Sequence, residues 1–322
     1  MFHLSKGRYK MSEAMIVAGM TLRDAALAIA EALPGYYAEA RERQAMSEML
    51  LQHITGLSQT NYLLDRKVRQ LSDTEAVWLQ QALERLAHDE PIQYILGVAP
   101  FGSFDLAVGK GVLIPRPETA ELCELILARH PATEAPQRLL DVGCGSACIP
   151  IYIGSHRPRW QLYAMDQSEQ ALHYAEQNVR QTGVAVQLLR GDLFAWCLGK
   201  EIPSMLPPID LLVSNPPYIP ECDKATMRPN VLVGEPREAL FVPDEDPLCY
   251  YRALVTLVPR IRSPHAPLTL YCETHHQLAH EVAALCKQAG ATSSEVLFDL
   301  TGRERFVQAT FSIKTKPWTP RY

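Results

Sequence analysis

Leu-Leu-Asp-Val-Gly-Cys-Gly-Ser, residues 139–146, is the stretch of this chain that decides its fold. An apolar run that ends in a Gly-x-Gly turn is typical of a buried strand at the carboxyl edge of a parallel sheet, where nucleotides bind. Glycine at 143 and 145 lets the backbone approach a ligand where a side chain would clash. Cys148 stands where the dinucleotide-binding pattern Gly-x-Gly-x-x-Gly needs its third glycine, so this is not that pattern. A tight turn without a ligand is the alternative interpretation.

Strand-like apolar runs surround this stretch and alternate with helical stretches. The runs lie at 138–142, 162–165, 186–189, 211–214 and 268–272, and helical periodicity fills 168–182 and 278–289. Alternation of this kind predicts an α/β fold, a parallel sheet with helices on both faces. The last two runs, 294–299 and 306–310, predict an edge hairpin.

The N-terminal part of the chain has a helical period instead. Apolar residues recur at helical spacing from Leu22 to Ile29, and Ser72 with Glu75 has the spacing of a capping box. These patterns predict a small helical bundle, whereas the aromatic and glycine residues that follow it predict a β-hairpin linker. We expect a leader at 1–20, the bundle at 21–90, the linker at 91–117 and the main domain at 118–322.

Composition narrows the class of protein. The chain has 322 residues and is 47% hydrophobic, which is enough for a sizeable core, and its net charge of −5 disfavours a basic nucleic-acid binder. The sequence has neither an apolar run of ~20 residues nor a signal-peptide pattern, so we expect a cytoplasmic protein that does not bind membranes. Eight cysteines without a Cys-x-x-Cys pair indicate reduced core thiols. Met11 is a second candidate start within the polar leader.

Asp166 ends the strand-like run at 162–165, 21 residues after Gly145. A carboxylate at that point can accept hydrogen bonds from both hydroxyl groups of a ribose, which favours a cofactor of the adenosine type. The alternative role is to cap the helix that begins near Ser168. One side chain can fill both roles.

The most specific motif is Asn215-Pro216-Pro217-Tyr218, which follows the run at 211–214. Two prolines fix φ and remove two backbone donors, so the chain leaves the sheet rigidly with its carbonyl groups turned outward. The Asn215 oxygen and the Pro216 carbonyl could together accept both hydrogens of an NH₂ group, and the Tyr218 ring could pack on a flat substrate. We find no histidine or carboxylate next to the motif to act as a base. A turn stiffened by proline is the alternative.

These three motifs, in this order, resemble the class I S-adenosylmethionine-dependent methyltransferases that modify planar NH₂ groups. Further segments resemble one family among them, the release-factor glutamine methyltransferases (HemK/PrmC), over about residues 21 to 311. These segments are 90–97, 112–119, 234–240, Glu273 with Gln277, and 299–305. The resemblance implies a Rossmann-like, seven-stranded class I methyltransferase sheet, with S-adenosylmethionine as cofactor and S-adenosylhomocysteine as product.

The resemblance also implies roles for individual residues. The cofactor would be bound by Gly143, Cys144, Gly145, Ser146, Ala147, Asp166, Leu193 and Asn215. Asn215, Pro216, Pro217 and Tyr218 would bind the acceptor, with Asn215, Pro216 and Tyr218 acting in catalysis. The acceptor would be the glutamine of the Gly-Gly-Gln motif in class I peptide chain release factors, a modification that serves translation termination. The bundle at 21–90 would recognise the release factor.

The chain departs from the family pattern at three places. Ala147 replaces a frequent glycine, Leu193 replaces a common aromatic residue, and 243–247 replaces a stretch that is usually rich in glycine. A non-catalytic paralogue that binds release factors is therefore one alternative function. A nucleic-acid adenine N6-methyltransferase is another, but residues 1–100 carry 10 Lys and Arg against 12 Asp and Glu, which argues against a basic recognition region. We interpret His275, His276 and His280 as surface residues and not as a metal site.

Overall fold

The computed structural model of the protein describes residues 15–132 and 135–312. Most of the predicted leader, including Met11, lies outside these residues. The helices of the described residues are α1 (Leu22–Ala32), α2 (Ala40–Thr55), α3 (Gln59–Asp65), α4 (Asp73–Ala87), α5 (Ile92–Leu96), α6 (Pro117–Arg129), α7 (Cys148–His156), α8 (Glu169–Thr182), α9 (Leu193–Cys197), α10 (Pro229–Gly234), α11 (Cys249–Ile261) and α12 (Ala279–Gln288). The strands are β1 (Val98–Phe101), β2 (Phe104–Ala107), β3 (Arg138–Val142), β4 (Gln161–Asp166), β5 (Val186–Arg190), β6 (Leu211–Ser214), β7 (Ile219–Pro220), β8 (Phe241–Val242), β9 (Leu268–Glu273), β10 (Ser293–Phe298) and β11 (Glu304–Phe311). Short 3-10 helices cover Glu221–Thr226 and Arg237–Ala239.

The chain divides into two compact units. The first contains the described residues up to Gly97 together with Met227–Gly234, and the second contains Val98–Thr226 and the residues from Glu235 onward. None of the described helices is both long enough and apolar enough to cross a membrane.

The second unit is built on a sheet of seven strands in the order β10-β11-β9-β6-β3-β4-β5. Neighbours from β9 to β5 run parallel, and β11 runs antiparallel to both β9 and β10. The predicted seven-stranded sheet and its edge hairpin are therefore confirmed. The chain moves from β3 outward to β4 and β5 and then returns to β6 on the other side of β3. Ligands of open α/β sheets bind at such a reversal of strand order.

Helices cover both faces of this sheet because side chains alternate along each strand. Leu140 and Leu212 point to the face covered by α9, α11 and α12. Leu139 and Leu211 point to the opposite face, which α6, α7 and α8 cover. Burial on both faces explains why these strands are continuous apolar runs in the sequence.

The first unit is a set of short amphipathic helices, as predicted. The Ser72 hydroxyl accepts the backbone N–H of Glu75 at 3.3 Å, and the Glu75 carboxylate accepts the backbone N–H of Ser72 at 2.7 Å, so the predicted capping box is confirmed. The segment Met227–Gly234 also packs in this unit, because Arg228 forms an ion pair with Glu42 and lies 5.8 Å from the centre of the Tyr37 ring.

The hairpin formed by β1 and β2 is shorter than the segment predicted to contain it. Residues Ile92–Leu96 form the helix α5 instead, since Ile92, Ile95 and Leu96 bury one face and Gly97 ends the turn in the left-handed conformation at φ 74°. Asn178 on α8 joins the hairpin to the glycine loop. Its side chain accepts the N–H of Ala107 at 2.6 Å and donates to the carbonyl groups of Ala107 and Ser146 at 3.1 and 3.0 Å.

Candidate active site

A cleft opens at the carboxyl edge of the sheet, above β3, β4, β5 and β6. It encloses about 1060 Å³ of empty space, a figure that includes the part open to solvent. The predicted cofactor residues Gly143, Cys144, Gly145, Ser146, Asp166, Leu193 and Asn215 line it, together with Pro216 and Pro217. Ala147 and Tyr218 are not among the lining residues. The strand order therefore brings together motifs that are far apart in the sequence.

The glycine loop forms one wall of the cleft in a conformation that favours glycine. Gly143 and Gly145 have φ of 74° and 54°, and a Cβ added at Gly143 would meet no atom within 4 Å. Ala147 is also left-handed, with φ of 62°, and begins α7 from a fully buried position. An alanine in this conformation carries a strain of about 1–2 kcal/mol. A glycine at this position would avoid that strain.

Asp166 links the glycine loop to the end of β4. One carboxylate oxygen accepts the N–H of Gly145 at 2.9 Å and the other accepts the N–H of Ser168 at 2.9 Å. The cap of α8 is Ser168 itself, whose hydroxyl accepts the N–H of Ala171, so the capping role considered for Asp166 is wrong. Burial raises the pKa of Asp166 above its usual value, and these backbone donors oppose the rise. Each oxygen keeps a second lone pair for a ligand.

Apolar side chains form the part of the cleft near β5. Leu193 is buried and begins α9 behind Asp192, whose carboxylate accepts the N–H of Phe194 at 2.9 Å. Phe194 is 41% exposed, and its ring lies 5.2 Å from that of Tyr250, a lining residue that the sequence analysis missed. These two rings supply aromatic surface that Leu193 itself does not provide.

The Asn-Pro-Pro-Tyr motif lies at the end of β6. The Asn215 side-chain nitrogen donates to the Thr119 hydroxyl at 3.0 Å. Within the described residues, neither Asn215 Oδ1 nor the Pro216 carbonyl accepts a hydrogen bond, and both residues line the cleft. Two acceptors are thus available side by side along the chain, as an NH₂ group requires.

Glu273, at the end of β9, lies against the same motif. Its two carboxylate oxygens accept the Tyr218 hydroxyl at 3.0 Å and the Thr119 hydroxyl at 2.8 Å. No carboxylate next to the motif in sequence was expected to act as a base, and Glu273 adjoins the motif in space because parallel strands align ends that the sequence separates. Burial raises the pKa of Glu273, and the two hydroxyl donors and Arg305 oppose the rise. No site role was predicted for Thr119 or Glu273, although both lie in segments that carry the family resemblance.

A partly buried ion pair supports this side of the cleft. The Glu235 carboxylate accepts the backbone N–H of Ile114 at 3.1 Å and pairs with the Arg116 guanidinium at 2.5 Å. The 112–119 and 234–240 segments, quoted together for their resemblance, therefore meet in space. The pair holds the chain that leads to Thr119.

The histidines considered as metal ligands have other partners, and the ring of His275 lies 6.4 Å from that of Tyr218. His280 pairs with Glu304 at 2.9 Å, His275 lies 3.8 Å from Asp223, and the described residues contain no group of three potential metal ligands. All eight cysteines are free thiols. Burial raises the pKa of Cys148 to about 12, so this thiol is a core group and not a nucleophile.

Comparison with known proteins agrees with this geometry. Residues 24–97 match the family model described as the PrmC N-terminal domain, and residues 122–241 match the Methyltransferase small domain. A release factor glutamine methyltransferase of Bacteroides thetaiotaomicron is 36% identical over 268 residues, which cover 83% of this chain and 92% of the relative. One of Deinococcus radiodurans is 36% identical over 82% of this chain and 89% of the relative.

Among solved structures, the release factor-specific protein-(glutamine-N5) methyltransferase of Alicyclobacillus acidocaldarius is 25% identical, with a TM-score of 0.38 over 64% of this chain and 99% of that one. The assignment of the fold rests on the strand order, and the assignment of the family rests on the identity and coverage of the curated relatives. The chain belongs to the release factor glutamine methyltransferase family.

Proposed function

We propose that this chain methylates the side-chain amide nitrogen of a glutamine, the one in the Gly-Gly-Gln motif of class I peptide chain release factors. The observation that carries the proposal is the pair of available acceptors, Asn215 Oδ1 and the Pro216 carbonyl, at the edge of a cleft suited to an adenosine cofactor. Membership of the family supports the identity of the acceptor.

The residues of the cleft suit S-adenosylmethionine, the cofactor of this family. Asp166 has lone pairs for two ribose hydroxyls, Leu193 and Phe194 offer apolar surface to a base, and the open space at Gly143 admits a close ligand. When bound, S-adenosylmethionine supplies an electrophilic methyl group on sulfur and leaves as S-adenosylhomocysteine. Gly143 to Ala147 with Asp166, Leu193 and Asn215 would hold it.

Positioning is the main task of the protein, since the lone pair of an amide nitrogen is delocalised into its carbonyl group. Donation of both amide hydrogens to Asn215 Oδ1 and the Pro216 carbonyl would increase electron density on nitrogen and direct its lone pair toward the cleft. Tyr218, held by Glu273, would keep the amide plane in place. No base is required first, because the cationic amide that forms is strongly acidic and loses its proton to solvent.

We further propose a division of labour along the chain. The helices at 21–90 would bind another part of the release factor, and 118–322 would carry out the transfer, with 91–117 between them. The matched PrmC N-terminal domain supports a dedicated role for the first part. A role in translation termination would require the enzyme to act in the cytoplasm. The net charge of −5 disfavours direct binding to nucleic acid.

Transfer of labelled methyl groups tests the proposal directly. Purified protein, isotope-labelled S-adenosylmethionine and an unmethylated class I release factor are mixed, and peptide mass spectrometry locates the label. We expect label on the glutamine of Gly-Gly-Gln in a reaction that Asn215→Ala abolishes. Label on adenine-containing oligonucleotides and not on the release factor would favour an adenine methyltransferase. Failure to bind the cofactor at all would favour a non-catalytic paralogue.

A further inference from the structure

A buried chain of hydrogen bonds runs from Glu273 to the acceptor site. Thr119 donates its hydroxyl to the Glu273 carboxylate at 2.8 Å and accepts the Asn215 side-chain nitrogen at 3.0 Å. Glu273 and Thr119 are 1% and 2% exposed. Solvent therefore does not compete for the bond between Thr119 and Glu273.

Glu273, at the buried end of these hydrogen bonds, determines which atom donates and which accepts in each of them. The ionised carboxylate of Glu273, which the two hydroxyl donors and Arg305 favour, only accepts hydrogen bonds, so the single hydroxyl hydrogen of Thr119 is committed to it. The Thr119 oxygen then offers only lone pairs to Asn215. The amide of Asn215 must present its NH₂ to Thr119, because its oxygen at this distance would bring two acceptors together. Oδ1 is thereby left for the ligand.

Tyr218 donates to the other oxygen of Glu273, as Thr119 does to the first. Its hydroxyl donates at 3.0 Å, and burial, with the nearby Glu273 charge, raises the pKa of Tyr218 and keeps its proton in place. Each oxygen of Glu273 thus accepts one hydroxyl donor. Glu273 is also 1% exposed and does not line the cleft, which separates this residue from a general base.

We propose that Glu273 is a positioning residue that, through Thr119, fixes Asn215 with Oδ1 toward the acceptor and makes the site select a glutamine amide over a glutamate carboxylate. The inference rests on the proposed function. A glutamine NH₂ can donate to both Asn215 Oδ1 and the Pro216 carbonyl. A carboxylate would face two acceptors with no hydrogen to offer, and a site built for hydrogen bonds rejects such an analogue strongly.

The Thr119→Val and Thr119→Ser variants test this chain at its middle. Valine keeps the shape of threonine but leaves the Asn215 nitrogen without an acceptor, so either amide atom can face the ligand. Serine keeps the hydroxyl. The measurements are kcat with unmethylated release factor, and the inhibition constant of a release factor in which the Gly-Gly-Gln glutamine is replaced by glutamate. For Thr119→Val we expect kcat to fall and the release factor with glutamate (the glutamate protein) to bind more tightly, each by about tenfold or more. Thr119→Ser should be close to wild type in both measurements.

Glu273 itself is best tested in the Tyr218→Phe background. The amide of Glu273→Gln has one oxygen and one NH₂, and without the Tyr218 hydroxyl that NH₂ can donate only to Thr119. Thr119 would then donate to Asn215 Oδ1 and turn the amide over. We expect the double variant to bind the glutamate protein more tightly than Tyr218→Phe alone. Tyr251→Phe, which removes a hydroxyl bond to the backbone carbonyl of Glu273 at 3.0 Å, is the matched control and should leave the preference unchanged.

A loss of kcat in Thr119→Val without a change in affinity for the glutamate protein would overturn the inference and indicate a merely structural role. If wild-type protein does not methylate release factor, the proposed function is wrong. The orientation of the Asn215 amide can then still be tested by NMR in the enzyme without substrate. The side-chain NH₂ signal of Asn215 in NMR spectra should exchange slowly in wild type and Thr119→Ser and rapidly in Thr119→Val. Equal exchange in all three proteins would contradict the orientation regardless of activity.

Discussion

Asp166 accepts the backbone N–H of Gly145 at 2.9 Å, across 21 residues of sequence. The same carboxylate accepts the N–H of Ser168 through its other oxygen. The glycine loop, the end of β4 and the start of α8 are therefore held by one charged group. The conformation of the loop and the proposed contact with the cofactor depend on the same side chain.

Replacement of this carboxylate should weaken cofactor binding. In Asp166→Asn one of the two oxygens becomes an NH₂, which cannot accept from Gly145 or Ser168 or from a ribose hydroxyl. We expect the affinity for S-adenosylhomocysteine to fall by about tenfold or more, as loss of a charge-assisted bond costs about 1.5–3 kcal/mol. Titration calorimetry measures it. Glu169→Gln is the control. This substitution also removes one negative charge near the site, but Glu169 pairs with Arg190 and does not line the cleft. Equal losses in both variants would mean that net charge, and not this geometry, controls binding.

Asn178 should contribute both to the stability of the fold and to cofactor binding by the glycine loop. Its NH₂ donates to two backbone carbonyls, those of Ala107 and Ser146, from a fully buried position. Asn178→Asp would set a carboxylate against both carbonyls, so we expect a loss of about 2 kcal/mol or more in unfolding free energy, together with weaker binding of S-adenosylhomocysteine. Thermal unfolding with and without ligand measures both effects. Gln181→Glu, on the exposed side of the same helix, should change neither by a comparable amount.

The sequence predicted those parts of the site whose chemistry lies in a contiguous run. Residue types next to a predicted strand were enough to identify three of them: the glycine loop at 139–146, Asp166 and the motif that begins at Asn215. Their meeting followed from the rule that the ends of parallel strands share one edge. The central strands β3, β6 and β9 were visible because burial on both faces leaves a continuous apolar run.

The parts that escaped prediction depend on convergence in space. Thr119 and Glu273 are 154 positions apart, and neither residue type is unusual in its own segment. Tyr250 lies in an ordinary apolar helix and reaches the cleft only through the packing of α11. Five residues of α5 are too few to show a helical period. The left-handed Ala147 is imposed by its surroundings, since alanine has no preference for that conformation.

The stability of the first unit should depend on pH through Glu75. Burial opposes ionisation of Glu75, but hydrogen bonds from Arg69 and Ser72 outweigh it and lower its pKa below the usual value of 4.5. The unfolded chain therefore takes up a proton before the folded one, and the stabilisation present at neutral pH is lost as the pH falls below 4.5 and through the folded pKa. We expect Glu75→Gln to be less stable than wild type by about 1 kcal/mol at neutral pH, the usual value of such a cap, with a difference that narrows in acid. Urea unfolding over this pH range measures the difference.

Glu84→Gln provides the control for this pH dependence, because Glu84 lies on the exposed face of the same helix and its carboxylate makes no hydrogen bond within the described residues. Its difference from wild type should be small and nearly constant with pH. A difference for Glu75→Gln that stays constant down to about pH 3 would show that the ionised capping box does not contribute as the geometry indicates.

Asn215 and Tyr218 should differ sharply in their effect on turnover. Asn215→Ala removes an acceptor that would touch the reacting amide, and loss of one such polar contact typically lowers kcat by about 10²–10³. Tyr218→Phe keeps the ring and removes only the hydroxyl that donates to Glu273, so the smaller loss, about tenfold or less, is expected. Single-turnover assays with saturating cofactor compare the two without interference from product release. Binding of S-adenosylhomocysteine should change little in Tyr218→Phe, because Tyr218 does not line the cleft. Equal losses of rate would instead mean that the tyrosine hydroxyl is as close to the chemistry as the asparagine oxygen, and the division of roles between the two ends of the motif would be wrong.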